Sequence, residues 1–176
     1  MKTLTLLRHA KSGWDDPTLR DVDRPLNDKG RRAAGAVGRY MAREEMVFDR
    51  VLASPAKRVA ETLSAVEAAY GRAFDATVDK RLYLASPEQI MDLVGDAGDA
   101  AGHVLVVGHN PGLEELVLDL AASGEARCEV ELKFPTASLA QLCWEGGWTS
   151  PGSGGATLTR FTRPRDLDPT LGPDED

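Results

Sequence analysis

Three short stretches of this chain carry residue types able to handle a phosphoryl group: Arg8-His9, the run from Ser54-Pro55 to Arg58, and Gly108-His109-Asn110. A neutral imidazole offers a nucleophilic nitrogen, which can split one hard displacement into two easier ones. A guanidinium presents a planar fork that holds phosphoryl oxygens in pairs. Charge in phosphoryl transfer spreads over three equatorial oxygens, so positioning and positive charge do most of the work. Each residue alone has a plainer reading. A histidine at a strand end is usually structural, and Arg58 alone would be a solvated residue on a helix's first turn, although helix N-termini attract anions. His103 opens an apolar run with no motif around it and is assigned no role.

The elements that must position these residues can be read from periodicity. Each stretch follows an apolar run, at residues 3–7, 50–53 and 104–107. The last of these, Val104-Leu105-Val106-Val107, is a continuous apolar, mostly β-branched segment, as expected for a strand buried on both faces. Ligands in open α/β sheets bind beyond the carboxyl ends of the strands, so all three stretches are expected at one crevice. Helical spacing predicts a helix over 29–43 capped by Asp28, where Gly35 and Gly38 would permit close packing. A second helix over 56–70 should stop at Gly71, and Ser86 should cap a third with Pro87 at its first position. A third strand is expected within 74–78 and a further helix over 113–122. Strands alternating with helices imply right-handed crossovers and a mainly parallel sheet. Residues 138–144 and 157–161, joined by a Gly/Ser/Pro loop, read as an antiparallel hairpin. The expected fold is therefore α/β, a three-layer α/β/α sandwich with a mostly parallel central sheet and a C-terminal antiparallel hairpin. Residues 1–162 form the domain; residues 163–176, with three prolines and five acidic residues, are expected to be a loosely held tail.

Composition narrows the partners. A chain of 176 residues with 42% apolar and 28% charged residues fits one compact domain. Its net charge of -7 argues against non-specific binding to nucleic acid or an anionic membrane. An acidic protein that handles phosphate must gather its positive charge locally, which makes each arginine's position informative. No apolar run approaches the roughly 20 residues needed to span a bilayer, and Arg8 to Lys11 cut short any leader-like start, so a cytoplasmic location is expected. Cys128 and Cys143 are read as buried reduced thiols. The sixth residue after each cysteine is Phe134 or Thr149 rather than arginine, which closes the cysteine-phosphatase route. Asp21-Val22-Asp23 has no apolar strand before it to make an aspartyl nucleophile. A phosphate loop of the G-x-x-x-x-G-K-[ST] type and a zinc-spaced Cys/His cluster are both absent from the sequence.

Leu7-Arg8-His9-Ala10, Arg24-Pro25-Leu26 with Gly30, Ser54-Pro55-x-x-Arg58-x-x-x-Thr62 and Val107-Gly108-His109-Asn110-Pro111 together resemble the histidine phosphatase superfamily (phosphoglycerate mutase-like, branch 1). The pattern is most similar to the SixA-type phosphohistidine phosphatases and extends to about Phe161. The resemblance implies that His9 is the nucleophile and that Arg8, Arg58 and His109 line the phosphate pocket. It implies a two-step reaction through phospho-His9 and no metal or other cofactor. Lys11, Ser12, Arg24 and Asn110 are candidate substrate or phosphate contacts. Many members that cleave alcohol esters use a glutamate after the third strand as general acid, whereas Asp79-Lys80-Arg81-Leu82-Tyr83-Leu84 contains none. An alkoxide needs a proton to leave, while imidazole, with a pKa near 6.5, leaves readily. The expected substrate is therefore a phosphohistidine on a partner protein, such as a phosphotransfer domain or phosphocarrier. Among the loop carboxylates Asp15, Asp16, Asp21 and Asp23, the candidates for an alternative acid are Asp21 and Asp23. A phosphatase for small phosphate esters and a non-catalytic phosphoprotein-binding module are the competing readings. Trp14 is either a substrate-facing aromatic or a staple for its loop, Glu61 a surface partner for Arg58, and Trp144 and Trp148 packing residues.

Overall fold

The computed structural model describes residues 1–173. Six strands form one sheet in the order β3-β2-β4-β1-β5-β6. They are β1 (Lys2–Arg8), β2 (Arg50–Ala53), β3 (Thr77–Val78), β4 (His103–Gly108), β5 (Leu139–Trp144) and β6 (Thr157–Thr162). β1 to β4 run parallel, and β5 and β6 form the antiparallel hairpin, with β5 antiparallel to β1. Successive strand side chains point to opposite faces, and β1 divides accordingly. Leu4 and Leu6 pack into one core with α3 (Pro87–Gly95), α4 (Gly112–Leu120) and α5 (Glu125–Leu132). Leu7 packs into the other with α1 (Asp28–Arg43) and α2 (Lys57–Tyr70). The result is the expected α/β/α sandwich, and Val104 to Val107 are wholly buried at its centre.

Local chemistry explains most element ends. Gly71, at φ 101°, closes α2 in the left-handed region that glycine adopts without strain. Ser86 and Gln89 form a capping box on α3, with Pro87 following. The cap of α1 is Asn27 rather than Asp28: Asn27 keeps extended backbone and its Oδ1 accepts from Gly30 N at 2.8 Å. Close packing falls to one of the two glycines marked for it. A Cβ on Gly38 would meet Val66 O of α2 at 2.4 Å, while one on Gly35 would find nothing nearer than 3.4 Å. Gly30 matters more for the site, because a Cβ there would lie 2.1 Å from Lys11 O. That approach lets the loop after β1 lie against α1, fixed by Asn27 N donating to the same carbonyl at 3.0 Å.

Two further expectations need correction. Residues 163–173 are not loosely held: they form α6 (Pro164–Leu167) and a 3-10 turn at Pro169–Leu171. Leu171 among the prolines and acids reaches the α1 core and is 3% exposed, and Arg32 Nη2 donates to Thr170 Oγ1 at 2.8 Å. Residues 174–176 lie outside the described residues. Cys128 is exposed, because the short α5, which the periodicity did not reveal, buries only Val130, and Cys143 on β5 is half-buried. Trp144 and Trp148 do pack, edge to face at 5.5 Å, and are 5% and 2% exposed. No helix among the described residues is long and apolar enough to cross a membrane.

Candidate active site

His9 sits one residue beyond β1 and is fastened on several sides. Its N–H donates to Gly108 O at 3.0 Å and its carbonyl accepts from Ala137 N at 3.0 Å. Ala10 N donates to Thr62 Oγ1 at 2.9 Å, and that hydroxyl donates to Arg58 O at 2.6 Å. The threonine quoted in the Ser54 motif is thus the tie between the end of β1 and the first turn of α2. β4 lies between β1 and β2, so His109 arrives beside His9, with ring centroids 5.4 Å apart.

The ring tautomers follow from the partners. His9 Nδ1 lies 2.7 Å from Ala10 O, which can only accept, so Nδ1 carries the proton and Nε2 keeps its lone pair. Burial pushes the His9 pKa down to about 3. The Ala10 bond opposes that shift, and the charges of His109, Arg8 and Arg58 assist it. His109 Nδ1 accepts from Arg58 Nη2 at 3.3 Å, so Nε2 donates to Ser54 Oγ at 2.7 Å. Burial, then the charge of Arg58, lowers its pKa to about 4. Both imidazoles are therefore neutral at pH 7, one keeping a lone pair on Nε2 and one braced by a serine.

Two of the guanidinium groups, those of Arg58 and Arg24, are held by one carboxylate. Asp21, on a 3-10 turn, accepts from Arg58 Nη2 at 3.0 Å on Oδ2 and from Arg24 Nε at 3.1 Å on Oδ1. Its backbone carbonyl accepts from Arg58 Nη1 at 2.7 Å, and Oδ2 also accepts from the Tyr83 hydroxyl. Partial burial works to raise the Asp21 pKa, but the bonds from Tyr83, Arg58 and Arg24 prevail and hold it at about 2. Arg58 is 3% exposed, and its Nε is buried with no hydrogen-bond partner among the described residues. Arg24 Nη1 also donates to Ser12 Oγ at 2.8 Å, and Arg8 Nη1 donates to Phe134 O at 2.8 Å.

These groups line one open cavity of about 320 Å³, walled by Arg8, His9, Lys11, Ser12, Asp21, Arg24, Arg58, His109 and Asn110, with Trp14, Leu84 and Thr136 completing it. All the expected phosphate-site residues are brought together. Asn110 joins the wall, although its amide donates to Glu114 Oε2 at 3.0 Å and Phe134 O at 3.2 Å. Asp23 is not brought in; it pairs outward with Arg20 at 2.7 Å. Glu61 does not pair with Arg58: it accepts from Leu26 N at 3.2 Å and faces Arg31 at 3.8 Å. Tyr83, which stands edge-on to His109 at 5.4 Å, and Thr136 went unnoticed in the sequence. No spacing rule marks either. Among the described residues, no group of three or more His, Cys, Asp or Glu is placed to hold a metal ion.

The two neutral histidines make stability depend on pH in a definite direction. Between the ordinary histidine pKa of 6.5 and the native values of about 3 and 4, the unfolded chain binds protons that the native protein refuses. Stability must therefore fall as pH drops below 6.5, and the pair adds no slope above it. Asp21, lowered from 3.8 to about 2, adds a further loss only at more acid pH. Thermal unfolding is expected to show the midpoint falling between pH 6.5 and 4.5, less steeply after His9→Asn and His109→Gln together. Equal slopes in the two proteins would contradict neutral imidazoles.

Residues 4–83 match the model of the histidine phosphatase superfamily, branch 1. The structure of the candidate phosphohistidine phosphatase SixA of Nakamurella multipartitia is 30% identical, with 93% of this chain and 96% of that one covered and a TM-score of 0.79. The chain belongs to the histidine phosphatase superfamily, branch 1. A phosphatase activity comes with that membership. A second candidate SixA structure, from Agrobacterium tumefaciens, is 29% identical over 92% of this chain and 97% of its own, at a TM-score of 0.75. An uncharacterized Mycobacterium tuberculosis protein is 37% identical over 90% of this chain and all of its own length. The superfamily match covers β1, α1, β2 and α2, the elements that carry Arg8, His9 and Arg58.

Proposed function

We propose that this histidine phosphatase works without a metal, through a phosphohistidine formed on Nε2 of His9, and that its substrate is a phosphohistidine on a partner protein. The state of Asp21 carries the substrate assignment. Among the described residues it is the one carboxylate on the cavity wall, and a group held at about 2 has no proton to give at neutral pH. An alkoxide leaving from a serine or sugar phosphate would go unprotonated, which forfeits a large part of the rate. A phosphohistidine protonated on its other ring nitrogen needs no such help, because it departs as neutral imidazole.

In the first step the Nε2 lone pair of His9 attacks phosphorus in line, the substrate P–N bond breaks, and its electron pair stays on the departing imidazole. Arg8 and Arg58 supply positive charge to the equatorial oxygens. His109, fixed by Ser54 through Nε2 and by Arg58 through Nδ1, completes the wall beside His9. In the second step water attacks phospho-His9, releasing inorganic phosphate and restoring the free imidazole. The candidate SixA neighbours at 30% and 29% identity support this substrate class.

The test is phosphate release, with EDTA present, from a phosphohistidine-bearing protein and from an alkyl phosphate. General acid catalysis is worth about 10²–10⁴-fold, so a site without the acid should favour the phosphohistidine by at least about 10²-fold in kcat/KM. Comparable rates on the two substrates would sink the substrate assignment, and loss of activity in EDTA would sink the metal-free mechanism.

A further inference from the structure

Two large apolar side chains stand exposed at the mouth of a cavity whose floor is charged. His9, Arg58 and His109 are 8%, 3% and 3% exposed, while Trp14 and Leu84 on the same cavity wall are 70% and 55% exposed. They come from different parts of the chain, the loop after β1 and the turn before α3. Neither is left there by lack of structure. The Arg24 guanidinium lies 3.6 Å from the Trp14 ring centroid, a cation–π distance that covers one face of the indole and leaves the other to solvent. Arg24 is itself fixed by Asp21 and Ser12, so the ring is tied to the network that holds Arg58. Leu84 has φ 51°, left-handed backbone that a leucine adopts at a cost. Such strain persists where surrounding structure enforces it and is concentrated at ligand sites.

The cavity opens where a leaving group would sit. It is about 320 Å³ and open to solvent, with His9, Arg58 and His109 buried and Trp14 and Leu84 exposed on its wall. In an in-line displacement the departing group lies on the side of phosphorus away from the attacking ring of His9, toward those exposed side chains. We propose that Trp14 and Leu84 are a leaving-group clamp: the imidazole of a phosphohistidine stacks on the open face of Trp14, with Leu84 against its other side. The inference rests on the phosphohistidine reading and adds the residues that select the ring. A planar aromatic leaving group gains from the indole, and a leaving group with no ring gains nothing.

The experiment compares a phosphohistidine peptide with phosphoramidate, which has the same P–N bond and no ring, in wild type, Trp14→Ala, Trp14→Phe and Leu84→Ala. Aromatic pairing is worth about two- to tenfold in binding. The loss in kcat/KM for Trp14→Ala, arising in KM, should be about fivefold or more greater on the peptide than on phosphoramidate. Trp14→Phe should recover most of it, and Leu84→Ala should show the same selectivity to a smaller degree. Equal losses on both substrates would mean that Trp14 only braces Arg24, and would overturn the clamp while leaving the phosphohistidine reading intact. Wild-type turnover of phosphoramidate with none of the peptide would overturn both.

Discussion

Replacing His9 with alanine is expected to lower phosphate release by at least about 10⁴-fold, the scale of losing an essential covalent nucleophile. The fold should survive, because β1 is anchored by backbone pairing to β4 and β5, and the His9 ring's hydrogen bond is to its neighbour's carbonyl. Rapid quenching in alkali of wild type with a labelled substrate should trap label on His9, acid-labile and base-stable as a phosphoramidate must be. His9→Ala should trap none. The same pair of measurements separates catalysis from the binding-module alternative. A module that only holds phosphoproteins would keep its affinity after the substitution and would never have shown release. Retained turnover in His9→Ala would remove the covalent mechanism altogether.

Arg58→Ala is expected to cost about 10²–10³-fold in kcat, the range for removing one preorganised donor to transition-state charge. Several consequences come from one side chain. Its guanidinium is 3% exposed, so the charge acts in a site with little water to replace it. It also supplies the donor to His109 Nδ1, a bond to the Asp21 backbone carbonyl, and the carboxylate bond and positive charge that both lower Asp21. Without it Asp21 should rise toward its ordinary range. The His109 pKa, held down by burial and then by Arg58, should rise too. Arg58→Lys should recover little, because an ammonium cannot span Asp21 and His109 as a planar fork does. NMR titration of His109 in the variant is the check on the electrostatic part. An unchanged His109 titration would show that Arg58 does not hold the imidazole neutral.

Asp21 and Asp23 mark the boundary between what the sequence determined and what required the fold. From the string alone they were equivalent, two carboxylates in one loop, both candidates for a missing acid. The loop instead makes a 3-10 turn, where each residue advances by about 120°, so positions two apart cannot face the same way. Asp21 turns to Arg58, and Asp23 to Arg20 at the surface. The Asp21 partners Arg58 and Tyr83 lie 37 and 62 residues away in sequence, a distance no local pattern spans. Trp14 over Arg24 and the packed segment ending at Leu171 were hidden for the same reason. Each is a side-chain contact between segments that only the fold brings together.

What the sequence by itself determined was the set of strand-end residues. Periodicity of two and of 3.6 is a local property, readable wherever an apolar run is long enough. Once β1, β2 and β4 are known to be parallel strands, the rule that ligands gather beyond their carboxyl ends brings Arg8, His9, Arg58 and His109 together without coordinates. The tertiary structure alone decided the ionisation of those groups. Protonation depends on burial and on charges converging from separate elements, and both are long-range properties. The sequence thus determined which residues meet, and the fold decided that the histidines are neutral and that Asp21 has no proton to give.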